Sequence, residues 1–428
     1  MNTADSARTE SWEPGGEVIA DLNALRERHD EVHEPVVSAD GRRVAVVVRL
    51  EEDDEVYGVW ADGKLWDEEY EKAWNLVFTA DGRLVALVRQ DDEWTVGVDG
   101  ELWEERFEFL WNLELSGDGR AIGVQAKLDD AYTLAVDGRV WERSFVSCRG
   151  FCLSHDGQHA AAAVQVEKLS EGDIFKFAEG LWSIAHDGIP WEARFLGVYS
   201  PTISADGAEV AAEVRVDISE YTVARGAQRW PKAFGMVWSP TFRPGTGKLV
   251  VPVRLGGEWT LAEEGEPLWS GRYVQLWHQR CSPDGGRIAA VVAPGFGRWT
   301  LAVDDRPWKF TASDMVDPPV FSADGSRVAA VIKDRGRWSV AADGKPWPAA
   351  FDMVWEAMFT PDGRSVLARV ERDGVRTLAV DGRPWTEGFD QLWEPTFSPD
   401  GSLVLVRGIQ GGRVVRRVVT LDELTRGG

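Results

Sequence analysis

Cysteine is scarce, with three in 428 residues: Cys148, Cys152 and Cys281. So small and odd a number excludes a disulfide framework and fits a reducing compartment, with free, mostly buried thiols as the expectation. No apolar run approaches the ~20 residues needed to cross a bilayer, so direct membrane insertion is not expected. Positive charge is also in short supply. Forty-seven basic residues stand against 71 acidic ones, for a net charge of −24. That balance opposes a nucleic-acid partner, whose affinity depends on basic groups displacing counterions. The first residues, MNTADSARTESWEPGGEVIADL, show neither a basic nor an apolar leader region, and the expected location is the cytoplasm.

The motifs of covalent and metal chemistry are missing too. There is no GxxxxGK[ST], GxSxG, HExxH or CxxC. Cys152, His155, His159 and His186 share one stretch and are of metal-ligand type. His155, however, occupies a hairpin turn, across which the others would have to converge, so surface histidines and a core thiol are expected rather than a metal. The aspartates recur as turn formers, a role that repetition explains without catalysis. Neither a catalytic residue, a cofactor nor a metal is expected, and the chain reads as a non-enzyme.

What the sequence does hold is a repeat. Residues 380–401, VDGRPWTEGFDQLWEPTFSPDG, contain two Asp-Gly turns and an aromatic ladder, Trp385, Phe389, Trp393 and Phe397. The first kind of turn recurs nine times from Asp40-Gly41 to Asp400-Gly401, and Pro-Gly-Thr-Gly at 244–247 fills the one gap, making ten. A second turn falls inside nine units, each followed by a tryptophan: Trp66, Trp103, Trp141, Trp191, Trp230, Trp269, Trp308, Trp347 and Trp385. Two hairpins per unit mean four short antiparallel strands. Many such units make an all-β fold, a β-propeller of about ten four-stranded WD40-like blades, with two smaller propellers in tandem as the alternative. The i, i+4 spacing of the ladder could suggest a helix, but Pro384 and Pro395 argue against one.

The last unit lacks an outer strand, and residues 17–25, EVIADLNAL, could supply it or form a short helix. The expected division is an N-terminal tail over 1–16 and a propeller over 17–428, closed between its termini. The nine tryptophans are expected to pack between blades, as a large ring at one place in every unit would. Six others, Trp74, Trp111, Trp238, Trp277, Trp355 and Trp393, begin first strands and are the candidate channel aromatics. A basic residue ends the second strand at Arg49, Arg89, Lys127, Arg215, Arg254, Lys333, Arg369 and Arg407, which equivalent blades would set near one circle. Irregular stretches at 167–180 and 311–319 offer Phe175, Phe177, Asp314 and Met315 as candidate partner contacts, since inserts on repeat proteins often bind.

The FSADG and FSPDG hairpins at 321–325 and 397–401 resemble the WD40-like repeats of TolB-type propellers. The AVDGRPW segment at 379–385 is similar to the tryptophan-docking motif of quinoprotein propellers but lacks its Thr-Gly core. In composition, length and repeat pattern the chain looks like the tryptophan-rich subunit of the transmembrane redox complex of sulfate-reducing bacteria. That resemblance implies an accessory subunit without a cofactor, peripheral at the cytoplasmic face of the inner membrane beside iron–sulfur, cytochrome b and multihaem cytochrome c subunits. The expected function is a non-catalytic scaffold docking protein subunits of such an electron-transfer complex. The alternative is a ligand-binding or hydrolytic propeller using an aromatic-lined channel.

Overall fold

A computed structural model describes residues 12–50, 55–169 and 174–425. Most of the tail expected over 1–16 lies outside the described residues, as do the four central residues, 170–173, of the irregular stretch at 167–180.

The second unit shows how the sequence makes a blade. Its strands Lys72–Phe78, Leu84–Gln90, Glu93–Val98 and Glu101–Leu102 pair in chain order, each antiparallel to the last. At the first turn the Thr79 hydroxyl donates to Asp81 at 2.5 Å, and Gly82 N–H donates to the Thr79 carbonyl at 2.9 Å. The same Ser/Thr-x-Asp-Gly geometry recurs from Ser38 and Asp40 to Ser398 and Asp400. At the second turn Asp99 and Gly100 both have positive φ, at 50° and 92°, the backbone of a two-residue hairpin. The Asp99 carboxylate accepts from Leu84 N–H at 3.0 Å and so fastens the second hairpin to the first.

Second strands such as Leu84–Gln90 and Val328–Asp334 are buried over five consecutive residues instead of alternate ones. A sheet covered on both faces has this pattern. The first strands are kinked. Register shifts after Trp74 and Trp111, where Asn75 and Asn112 adopt positive φ, are bulges that end straight pairing. Where Pro240, Pro318 and Pro395 occupy this bend, the strand is split into two-residue pieces, as at Met236–Val237 and Thr241–Phe242.

Ten such sheets stand in one ring. Among the described residues ten apolar clusters occur, one at each junction. One of them joins Ala211 and Val223 of the fifth blade to Leu249 and Val251 of the sixth, so no seam divides the chain into two propellers. First strands of adjacent blades, such as Ser147–Leu153 and Gly197–Ile203, approach closely, which places them innermost. Arginine straps tie neighbouring blades at the turn-bearing rim, with Arg43 donating to the Gly82 carbonyl at 2.6 Å and Arg327 to the Gly363 carbonyl at 3.0 Å.

Residues Gly15–Asp21 form the outer strand of the last blade, antiparallel to Arg413–Thr420. The stretch read as strand or helix is both in turn. Asp21 ends the strand and caps the helix Leu22–Arg26, accepting from Asn23 N–H at 3.1 Å, and Leu22 and Leu25 sink into the junction with the first blade.

Candidate functional site

Each first strand begins at the rim opposite the two turns, beside the hairpin that joins the second and third strands. Lys72 pairs with Arg89 there, and Gln90 with Glu93 at the hairpin tip. The chain passing to the next blade is pinned at this rim by a single bridge to the start of the third strand of the blade it leaves, as in Trp94 to Phe107 and Trp338 to Phe351. Crossing residues such as Tyr70, Phe107 and Phe351 are fully buried.

Six of the eight basic residues hold one rung opposite an aromatic residue near the start of the third strand, including Arg89 to Trp94, Arg215 to Tyr221 and Lys333 to Trp338. Lys333 lies over the Trp338 ring at 4.9 Å, and Arg215 over Tyr221 at 5.9 Å. Arg369 and Arg407 break the expected circle. They sit on a deeper rung, opposite Leu378 and Arg416, and reach the neighbouring blade through the Leu392 carbonyl at 2.8 Å and the Ser38 carbonyl at 2.7 Å. Two other blades use this deeper rung in the same way. Gln125 donates to the Cys148 carbonyl at 3.2 Å, and Glu213 accepts from Ser239 N–H. Burial pushes the Glu213 carboxyl up to about 7.

Four of the six first-strand tryptophans fall in two separate aromatic arcs. Trp74 stacks on Trp94 at 4.8 Å and meets Phe109, and Phe109 stacks on Trp111, which touches Tyr132. Trp238 lies 4.2 Å from Trp259 and 6.2 Å from Trp277, which meets Trp299 at 4.9 Å. Trp355 is flanked by Arg369 and Arg376, and Trp393 packs beside the cluster at the closing junction. Trp74 is 40% exposed and the other five are half-buried.

The nine tryptophans after the second turn each donate backbone N–H to the third strand, as Trp66 does to Val59 and Trp385 to Leu378. Trp66, Trp103, Trp141, Trp230, Trp308 and Trp347 lie against the second-turn glycine of the following blade, from Gly100 to Gly382. Trp191, Trp269 and Trp385 pack at their own junctions.

The irregular stretches divide. Phe175, on the short helix Ile174–Glu179, is 86% exposed, whereas Phe177 packs on the core between the fourth and fifth blades. Met315 is 40% exposed. Asp314 is committed within its own blade, accepting from Gly336 N–H at 2.7 Å and from the Ser313 hydroxyl at 2.8 Å.

Two residues escaped sequence reasoning. Phe296, at 91% exposure, and Ile218, at 75%, sit at the tips of the second-to-third-strand hairpins of the seventh and fifth blades. Sister blades place Asp91-Asp92, Asp129-Asp130 or Gly256-Gly257 there. The signal was an apolar residue where the repeat sets polar or glycine ones.

Cys152 does not join His155. Its thiol, pushed up to about 12 by burial, faces the Ala161 carbonyl, while His155 contacts the third blade through its carbonyl and the Asp118 N–H. His159 and His186 instead meet Asp187. Among the described residues no helix is long and apolar enough to cross a membrane.

These elements define a ten-bladed β-propeller. No family model matches the chain, and no curated protein does. Among solved structures, the eukaryotic initiation factor is similar at 10% identity over 92% of this chain and 96% of the other, with a TM-score of 0.43. The Dos1 propeller is similar at 12% identity over 94% and 95%, with a TM-score of 0.36.

Proposed function

We propose that this propeller is a non-catalytic scaffold that docks a partner protein on the rim carrying the second-to-third-strand hairpins. The observation that carries this reading is the exposure of Phe175, Ile218 and Phe296 on the fourth, fifth and seventh blades. Large apolar groups held in water on one side of a ring have no internal use, and such patches mark interaction sites. The finer reading, an accessory subunit beside iron–sulfur and cytochrome subunits at a membrane, is supported by the resemblance to the tryptophan-rich redox-complex subunit.

The test is native-level purification of the parent chain and of the Phe175→Ser, Ile218→Ser, Phe296→Ser triple variant. A stoichiometric partner should accompany the parent and be lost from a variant that melts at the same temperature. A partner retained by the triple variant, or a parent that purifies alone, would sink the docking reading. A haem absorbance spectrum on the purified complex decides the finer one.

A further inference from the structure

The second-turn aspartate has one oxygen facing the backbone and one facing out. In the first, seventh and eighth blades the outer oxygen is held by an arginine, with Arg43 on Asp62 at 2.7 Å, Arg287 on Asp304 at 2.9 Å and Arg327 on Asp343 at 2.8 Å. The inner oxygen of each accepts a strand N–H, from Val44, Ile288 and Val328. In these three blades the aspartate therefore holds one cation.

The fourth blade keeps the aspartate and lacks the arginine. Asp187 accepts from Ala160 N–H at 2.9 Å on its inner oxygen. His159 stands where the arginine would, its Nδ1 2.7 Å from the outer oxygen. The residue before the turn, which is Ala61, Val98, Val136, Val303, Ala342 or Val380 in sister blades, is here His186. Its Nε2 lies 3.7 Å from the same oxygen and is buried without a hydrogen-bond partner. One ligand atom from each of the three side chains lies within 4.8 Å of the others.

We infer that His159, His186 and Asp187 form a binding site for a divalent transition metal of the zinc class. Zinc bonds of about 2.0–2.2 Å in a tetrahedron put ligand atoms roughly 3.3–3.6 Å apart. The observed 2.7 and 3.7 Å to Asp187 bracket that spacing, and with all three ligand atoms within 4.8 Å of one another, side-chain rotations that draw the two imidazoles together would complete the set. The His159 ring is already held. A Cβ on Gly207 of the fifth blade would sit 2.3 Å from His159 Cδ2, so the ring is pressed against that glycine. A cleft of about 320 Å³, bounded by Arg139 and Trp141 of the third blade, opens on His159 and Asp187 and leaves room for a fourth ligand. Cys152, with its thiol buried and protonated, takes no part. An orphaned imidazole nitrogen beside a carboxylate that elsewhere holds a cation is the pairing a metal ion would satisfy.

The site is tested on the full, tag-free, chelator-stripped chain by titration with Zn²⁺ calorimetrically and with Co²⁺ in the visible spectrum. One metal per chain is expected, with tetrahedral cobalt absorption. His186→Ala should weaken binding at least about tenfold, the effect of losing a ligand or its support. His159→Arg should abolish it while restoring the ion pair of the sister blades, so that stability is kept. Cys152→Ser should change nothing. Absence of binding, or binding that survives both histidine substitutions, would overturn the inference. The site sits at the turn-bearing rim, so its failure leaves the docking reading untouched.

Discussion

Arg407 of the last blade donates from Nη1 to the carbonyl of Ser38 in the first, at 2.7 Å, across the seam where the ring closes. Its Nη2 reaches the Glu394 carbonyl at 2.5 Å, and Arg416 beside it donates to the Asp40 carbonyl at 2.8 Å. Two charge-assisted hydrogen bonds, one buried and one part-buried, and a large side-chain volume are at stake, so Arg407→Ala should lower stability by about 2–4 kcal/mol in denaturant titrations. An unchanged midpoint would show that desolvating the guanidinium cancels what its bonds contribute.

The strand Gly15–Asp21 protects the edge of Arg413–Thr420. Removing residues 1–21 should leave that edge unpaired and produce self-association that rises with concentration, read by light scattering against the parent chain.

Gly382 and Gly374 both have left-handed φ, +82° and +78°. A Cβ on Gly382 meets Trp347 of the preceding blade at 3.1 Å, while a Cβ on Gly374 meets nothing within 4 Å. Gly374→Ala should cost about 1 kcal/mol from backbone strain alone, and Gly382→Ala about 1–3 kcal/mol. The difference measures the fit between blades, and equal costs would mean that the tryptophan gives way freely.

Glu213 has its folded pKa raised by burial from 4.5 to about 7. Its contribution to stability is therefore full below the ordinary carboxyl range and is lost as pH rises through about 7. Glu213→Gln should be more stable than the parent by about 1–3 kcal/mol at about pH 8, and the two should converge below about pH 4. Parallel pH profiles would contradict this.

Asp324 and Asp400 have the opposite sign. The Ser322 and Ser398 hydroxyls, followed by the N–H and hydroxyl of Ser326 and Ser402, hold them down to about 2. The stability they contribute is present above the ordinary 3.8 and is lost as pH falls through about 2. Ser322→Ala with Ser398→Ala should lower the melting temperature at about pH 7 and by less at about pH 2, where the loss of the Arg327 and Leu403 N–H bonds to the two hydroxyls remains.

Local chemistry made the blades legible. Asp99-Gly100 can form its tight turn from two adjacent residues, and Thr79 and Asp81 cap theirs within three. The closing strand was visible because the last unit lacked a partner for Arg413–Thr420. Contacts between strands were harder to see. The bend after Trp74 depends on how that strand meets the hub, so nothing in Asn75 alone announces it. Arg369 and Arg407 fell outside the basic circle because a shift of two residues along a strand keeps the same face but changes the rung. Sequence proximity groups Cys152, His155, His159 and His186, yet strand pairing brings only the last two together and adds Asp187, which in sequence looks like any other turn aspartate.

The strand that closes the ring also sets a timetable. Val18 must find Val415, a partner made nearly four hundred residues later. At about 5–20 residues per second, ribosomal synthesis leaves that first strand unpaired for roughly 20–80 seconds. The blades between can form as they emerge, each on its own hairpins, but the last junction cannot. The chain therefore spends its infancy as an open arc, and the ring exists only after the final strand has met the first.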